Sequence, residues 1–355
     1  MHTLHILQVV TGFAGSGQAL VANPNIDKVI FTGSPGVGRK VMEGASYNLK
    51  PVVLELGGKD PMILTETTSM DDAISWTMRG AYQNAGQNCC GVERVFVYEG
   101  IYDEFVDKIT KEVKQLRQGN PHSVETRSSI DCGSMCMPNA AKRIQELVDE
   151  AVSKGAIIQC GGDIEENNKK LASGECSTKT EGFYPPTVMT NLEPSMRICQ
   201  EEVFGPIMCV VKVPGNSDEK CIELVNSCDF ALGASVYCTD IARADKIAKQ
   251  VKSGMVTIND FGCNYLIQTL PFGGVGESGF DRFAGVEGLR GCCYPRAVVH
   301  DTFPMLMKTT IPPALRYPVN YERAFGFGQS LVQLFYDESW WGKIKGGIFG
   351  LIRHG

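Results

Sequence analysis

The sequence predicts an α/β protein with a C-terminal extension. Three observations carry this expectation. Short Val- and Ile-rich runs alternate with helix-period segments from the N-terminus to about residue 270. Turns containing Gly, Pro and Asn separate them. From Pro271 the texture changes, first to a glycine-rich loop and then to a Pro-bearing tail. With 355 residues, 43 % apolar and 21 % charged, the chain has enough material for two domains with their own cores.

The first 55 residues read as strand, helix, strand, helix, strand. The strands are Leu4–Val10, Lys28–Thr32 and Val52–Leu56, with helical segments at Gln18–Ala22 and Val37–Ala45. That βαβαβ unit is half of a Rossmann-like, dinucleotide-binding sheet, so the chain is expected to begin in mid-domain, with an open sheet edge. A second α/β region follows. Ser69 and Asp72 form a capping pair before Ile74, Met78, Ala81 and Ala85 at helical spacing. Phe105, Ile109, Val113 and Leu116 predict a helix ended by Gly119, and Ile144, Leu147, Val148 and Ala151 a third. Strands are predicted at Val95–Tyr98, Ala156–Gln159, Ile207–Val211, Ala234–Cys238 and Met255–Ile258, and a surface loop at 163–181. The resulting division is 1–57, 58–270, a return segment at 271–302 with a terminal strand at Ala297–Val299, and a tail at 303–355.

The tail ends in WWGKIKGGIFGLIRHG, where large apolar residues interleave with Lys343, Lys345 and Arg353. Such a segment either lies on a membrane surface or docks on its own protein, and its interior glycines weaken a helix. No run of eighteen apolar residues occurs, so no spanning helix is predicted. The start carries no signal-peptide pattern. A net charge of −6 argues against non-specific nucleic-acid binding. Fourteen cysteines, scattered through periodic segments, suggest an intracellular, reducing compartment. Their spacing and the five histidines give no zinc pattern, so no metal is expected.

Chemistry concentrates in a few motifs. VLELGGKDP ends a strand at Glu55. NAGQNCCGVER sets Cys89 just before a strand. QEEVFGP holds Glu202 and Phe204 in a turn closed by Pro206. FTGSPGVG (31–38) sits at a strand-to-helix junction, and PFGGVGESG spans 271–279. Taken singly, a buried cysteine is usually inert core, a Glu at a strand end is usually a solvated rim residue, and any βα turn favours Gly and Ser. A thiol paired with a carboxylate suits addition to a carbonyl followed by hydrolysis. At FTGSPGVG, Gly33 lets the backbone approach a phosphate, and Ser34 offers donors at a helix N-terminus. Gly38 permits close helix packing. Gly12 and Gly17 read as turn formers.

Together, in order and spacing, these motifs resemble the aldehyde dehydrogenase family over residues 4 to 301. The resemblance implies oxidation of an aldehyde to a carboxylic acid with NAD or NADP. It makes Cys89 the nucleophile and Glu55 the base, with Gly33, Ser34, Gly38, Leu56, Glu202 and Phe204 at the cofactor. The backbone N–H of Cys89 would be one oxyanion donor. The family's asparagine donor and its adenosine-ribose lysine belong to an earlier segment with no counterpart here. The alternatives are a catalytically impaired subunit with a structural or regulatory role and, more thinly, a cofactor-free thioesterase. Asn259 matches a family asparagine or simply forms a turn. Lys59 and Arg94 are expected to brace loops, and Cys90, Cys292 and Cys293 to be bystanders. Met78, Tyr82 and Phe261 are expected to wall the pocket for an apolar aldehyde. The full-length form is expected to be a homo-oligomer. The tail resembles a plant and fungal branch with a membrane-associated end, so the expected location is cytoplasmic or endomembrane-associated.

Overall fold

The computed structural model describes residues 7–120, 127–173, 182–303, 305 and 309–355. The chain divides into two units, Met1–Tyr294 and Pro295–Gly355.

The first unit begins with α1 (Ala14–Ala22), β1 (Val29–Thr32), α2 (Pro35–Ser46) and β2 (Val52–Glu55). Pro35 opens α2 at a position where its missing N–H costs nothing. β1 and β2 pair in parallel. Next come β3 (Asp60–Leu64), α3 (Met70–Tyr82), β4 (Val92–Tyr98), α4 (Glu99–Val113), α5 (Ala140–Ser153), β5 (Ile157–Cys160), α6 (Ile164–Ser173), β6 (Thr187–Thr190), α7 (Arg197–Gln200) and β7 (Ile207–Val213). The unit closes with α8 (Asp218–Val225), β8 (Phe230–Ala231), β9 (Gly233–Tyr237), α9 (Ile241–Ala248), β10 (Met255–Ile258), α10 (Cys263–Leu266), β11 (Val275–Gly276), β12 (Gly279–Phe280) and α11 (Gly285–Gly291).

Seven strands form one sheet in the order β10-β9-β3-β4-β7-β6-β5, parallel except for β5. Alternation sends Met62, Leu64, Val95 and Val97 to one face, against α3 and α4. Ile63, Phe96 and Tyr98 face the other side, against α5, α8 and α9. With both faces covered, the strands read as continuous apolar runs. α3 starts where Ser69 accepts the Asp72 N–H at 3.4 Å, with two acidic residues in the first turn.

The smaller sheet has the order β1-β2-β12. β12 comes from the glycine-rich return segment and runs antiparallel to β2, setting Gly279 opposite Glu55. The return segment thus closes one side of the small sheet, and β1 remains its edge.

Several expectations change. Residues 7–10 form no strand, and residues 4–6 lie outside the described residues. Gly17 sits inside α1 rather than in a turn. α4 stops at Val113, so Leu116 and Gly119 lie beyond it. Part of the predicted 163–181 loop is α6, and 174–181 is outside the described residues. β3 and β6 were not anticipated. Ala297–Val299 is not a strand, because a strand requires a neighbouring backbone and Val299 is exposed.

The second unit is helical. α12 (Tyr321–Tyr336) is capped by Asn320, whose side chain accepts the Arg323 N–H at 3.0 Å. A second arm, 340–354, returns antiparallel to it through a π-helical stretch, Lys343–Ile348. Arg323 donates to the carbonyls of His354 and Gly355, tying the start of α12 to the end of the arm. The glycines expected to weaken a helix face α12 instead: a Cβ on Gly347 would lie 2.7 Å from the Leu334 Cα. No helix among the described residues is long and apolar enough to cross a membrane.

Candidate functional site

β2 delivers Glu55 as its last residue, and the chain leaves the sheet through Gly57 and Gly58. Gly57 has φ +46°, and a Cβ there would lie 2.6 Å from the Glu202 carboxyl carbon, so only glycine fits. Cys89 lies on the loop between α3 and β4. Asn84 and Ala85 turn that loop through positive φ angles of 54° and 57°. The result is one cleft of about 660 Å³ that brings Cys89 and Glu55 together with Gly33 and Ser34 at the end of β1. Glu202 and Phe204 line the same cleft.

Burial raises the pKa of Glu55, and facing groups, the Cys89 thiol and the Thr32 hydroxyl, offset part of that rise. Its buried Oε1 has no hydrogen-bond partner among the described residues. The Cys89 thiol is pushed up by its hydrogen bond with Cys90, by burial and by the neighbouring Glu55. Cys90 moves the other way, as expected of two sulfurs sharing a proton. Cys90 is half-buried, and Cys292 and Cys293 are exposed.

A buried ion pair braces both walls. Lys59 Nζ donates to Glu93 Oε2 at 2.6 Å, and neither side chain is appreciably exposed. Burial pulls the Lys59 pKa down, but the attraction of Glu93 and of neighbouring thiols outweighs it, so the net shift is upward. The Glu93 carboxylate also accepts the N–H groups of Val203 at 2.9 Å and Phe204 at 2.8 Å. Phe204 has φ +50°, a conformation costing about 1–3 kcal/mol that these bonds hold in place. Arg143 donates to the carbonyls of Glu202 and Val203 from the other side. The Gly58 N–H reaches Glu202 Oε1 at 3.3 Å. Burial, with Glu93 nearby, raises the Glu202 pKa to about 7. Arg94 donates from Nε to the Lys59 carbonyl at 2.9 Å, so Lys59 and Arg94 brace the loops as expected.

The order of these motifs along the chain agrees with comparisons to known proteins. Residues 4–298 match the family model described as "Aldehyde dehydrogenase family". The chain belongs to the aldehyde dehydrogenase family. An aldehyde dehydrogenase-like protein of Schizosaccharomyces pombe is 35 % identical over 354 residues, covering 99 % of this chain and 64 % of the relative. One from Saccharomyces cerevisiae is 37 % identical over 344 residues, covering 95 % and 51 %. Among solved structures, the NAD+ complex of Staphylococcus aureus betaine aldehyde dehydrogenase has 33 % identity and a TM-score of 0.70, covering 78 % of this chain and 52 % of that one. An NADP-dependent Escherichia coli enzyme has 29 % identity and a TM-score of 0.70, covering 79 % and 55 %. The chain spans between half and two thirds of the length of these curated relatives. The two fungal matches extend into the second unit.

Within this family frame, the structure gathers Cys89, Glu55, Gly33, Ser34, Glu202 and Phe204 on one cleft. Gly38 and Leu56 do not line it. They pack on each other, where a Cβ on Gly38 would sit 2.6 Å from Leu56 Cδ2, so their place is in the small core beside the cleft. Met78 and Tyr82 are also drawn into the core, the Tyr82 hydroxyl donating to the Thr187 carbonyl at 2.8 Å. Phe261 lines a separate, water-sized space beside Cys90 and Asp60. Asn259 forms its turn: its side chain bonds both the N–H and the carbonyl of Cys238 at 2.9 Å. Sequence reasoning passed over Glu93, Thr32 and Arg143. The available signal was a charged residue inside VERVFVY, an otherwise apolar strand.

Proposed function

We propose that the protein containing this chain oxidises an aldehyde to a carboxylic acid, using NAD or NADP, with Cys89 as nucleophile and Glu55 as base. The observation that carries this reading is the shared cleft. A protonated thiol and an orphaned, burial-raised carboxyl face each other beside a helix N-terminus and a second carboxylate.

Ser34 at the N-terminus of α2 suits a pyrophosphate. Glu202 suits ribose hydroxyls, and Phe204 a nicotinamide face. The bound nicotinamide supplies the hydride acceptor. The protein's own residues do the rest. The Cys89 sulfur bonds to the carbonyl carbon while the thiol proton passes to Glu55. The resulting oxyanion is met by the Cys89 backbone N–H. Loss of hydride from that carbon leaves a thioester on Cys89. Glu55, deprotonated again, takes a proton from water. The hydroxide adds to the thioester, and the C–S bond breaks to release the carboxylic acid and the thiolate, which is reprotonated.

Residues 1–57 and the return segment then serve the cofactor, and 58–270 carries the thiol. The relatives named for betaine aldehyde and the neighbour named for succinate semialdehyde support a small aldehyde as substrate. Every described cysteine is free, which supports a reducing compartment. A homo-oligomer is the expected assembly.

The test mixes the protein with an aldehyde and NAD+ or NADP+ and follows reduced nicotinamide. Cys89→Ala is expected to abolish its formation, and equal production by both forms overturns the assignment. Glu55→Gln is expected to slow both acylation and hydrolysis and to remove the acid limb of the pH profile. Because burial raises the Glu55 pKa, that limb is expected above the ordinary carboxylate range. The runner-up, an impaired subunit with a structural role, draws on the exposed edge of β1. It predicts binding to an intact homologue on size exclusion without turnover.

A further inference from the structure

Asp60 opens β3 and does not line the cleft. It is 3 % exposed, and no step of the assigned reaction uses it. An ionised carboxylate in such a place needs donors on both oxygens. Asp60 has one. The Gly233 N–H, at the start of β9, donates to Oδ2 at 2.8 Å. Oδ1 is buried and has no hydrogen-bond partner among the described residues.

The donors nearby are spent elsewhere. The Thr257 hydroxyl donates to the Asp260 carbonyl at 2.7 Å, and Ser235 shares a hydrogen bond with Thr257 at 3.1 Å. Arg94 gives its Nε to the Lys59 carbonyl and its Nη1 to the Val225 carbonyl. What does approach Oδ1 is another acceptor. A Cβ on Gly58 would lie 2.7 Å from the Cys89 carbonyl oxygen and 2.9 Å from the Asp60 carboxyl carbon, and closer still to Oδ1. Both oxygens therefore intrude on the space that a single methyl group would need. On the other side, a Cβ on Gly233 would lie 2.6 Å from Oδ2. Two glycines thus make room for one carboxyl and set it against the backbone of the nucleophile.

An acceptor buried against an acceptor is repulsive unless one of them carries a hydrogen. A backbone carbonyl cannot, and a carboxyl can. Burial and the Cys90 thiol, with Glu93 behind them, hold the Asp60 carboxyl well above the ordinary carboxylate range, and the Gly233 N–H and Arg94 offset only part of that.

We propose that Asp60 is a positioning residue for the nucleophile: as a neutral carboxylic acid it accepts from the Gly233 N–H and donates to the Cys89 carbonyl. The bonds within 88–91 are local, the Gly91 N–H donating to the Asn88 carbonyl at 2.9 Å and the Cys90 N–H to the Asn88 side chain at 3.4 Å. Asp60 adds a tie from outside the loop. Holding the Cys89 carbonyl sets the direction of its sulfur and of the N–H that meets the oxyanion, where an error of about 1 Å costs about a hundredfold in rate.

The proposal rests on Cys89 as nucleophile, and its test separates the two. The protein is mixed with para-nitrophenyl acetate, without nucleotide. The sulfur bonds to the acyl carbon, the ester C–O bond breaks, the thiol proton passes to Glu55, and nitrophenolate leaves. The burst of nitrophenolate therefore counts acylated sulfur. Asp60→Ala is expected to slow the burst roughly tenfold or more at saturating ester. The half-saturating concentration should not move, because Asp60 does not line the cleft. Asp60→Asn keeps one donor and one acceptor in place and is expected to react close to the wild-type rate. Infrared spectra at neutral pH are expected to show a carboxylic-acid C=O stretch that Asp60→Asn lacks, a result that does not depend on Asp60→Ala folding. An ionised Asp60, with one water in the space beside Cys90 meeting Oδ1, predicts the reverse: no such band, and an Asn variant as slow as the Ala variant. Either result overturns the proposal. A Cys89-dependent burst that Asp60→Ala leaves unchanged also overturns it, and it alone. A full burst from Cys89→Ala removes the nucleophile assignment and this role with it.

Discussion

In the seven-stranded sheet, every residue of β3, β4 and β9 is buried. In the three-stranded sheet, β1 alternates half-buried with exposed, and Ile30 is 51 % exposed. The buried core of the small sheet is three residues, Val41, Leu54 and Leu56. The cleft draws its two sides from these unequal regions. Cys89 and the Lys59–Glu93 pair are anchored in the deep sheet. Gly33 and Ser34 hang from the shallow one. The difference teaches where rigidity is concentrated: the Glu202–Phe204 turn is fixed by buried bonds, while Gly33 and Ser34 sit beside the smaller core.

Removing the brace is expected to have the largest effect. Glu93→Ala strands Lys59 as an unpaired buried cation and releases two backbone N–H groups, at a cost of about 3–5 kcal/mol in urea unfolding. A loss below about 1 kcal/mol would mean that the pair does not anchor the deep region. Core truncation comes next. Ile63→Ala should cost about 2–5 kcal/mol, whereas Ile30→Ala on the edge strand should stay within about 0.5 kcal/mol. Equal losses in thermal melts would erase the contrast between the sheets. Hydrogen exchange should show the same ordering, with β1 amides opening at least tenfold more readily than those of β4.

A pH-dependent effect, smaller than that of core truncation, concerns Glu202. Its folded pKa, raised to about 7, lies above the ordinary carboxylate value. The protonated carboxyl therefore suits the fold. That contribution is complete below the unfolded pKa and is lost as pH rises through about 7. Glu202→Gln is expected to stabilise the protein by about 1–3 kcal/mol at pH values above that point. The gain should vanish in acid, and melting curves across pH will show whether it does.

Much of this could be read in the sequence, for definable reasons. Strands buried on both faces betray themselves as Val and Ile runs, and α3 announced itself through Ser69 and Asp72. The cleft residues came as motifs because close backbone approach and a strand-end carboxylate need particular residues at particular positions. β3 escaped because it opens Asp60–Pro61, a pair that reads as a turn. Asp60 is nevertheless buried, with the Gly233 N–H donating to its Oδ2 at 2.8 Å. Glu93 escaped because its partners Lys59 and Val203 lie far away in the chain and only the fold brings them together. The helical tail escaped because an isolated arm rich in glycine is a poor helix, whereas a second arm gives those glycines a use.

Position 57 has one further consequence. The space that a methyl group would fill there is already taken by the Glu202 carboxylate, from a segment 145 positions later. Even the smallest substitution must therefore displace that acid, so Gly57→Ala would be felt as a lesion in a loop it never touches in sequence. In a library of variants, tolerance at these two sites should rise and fall together.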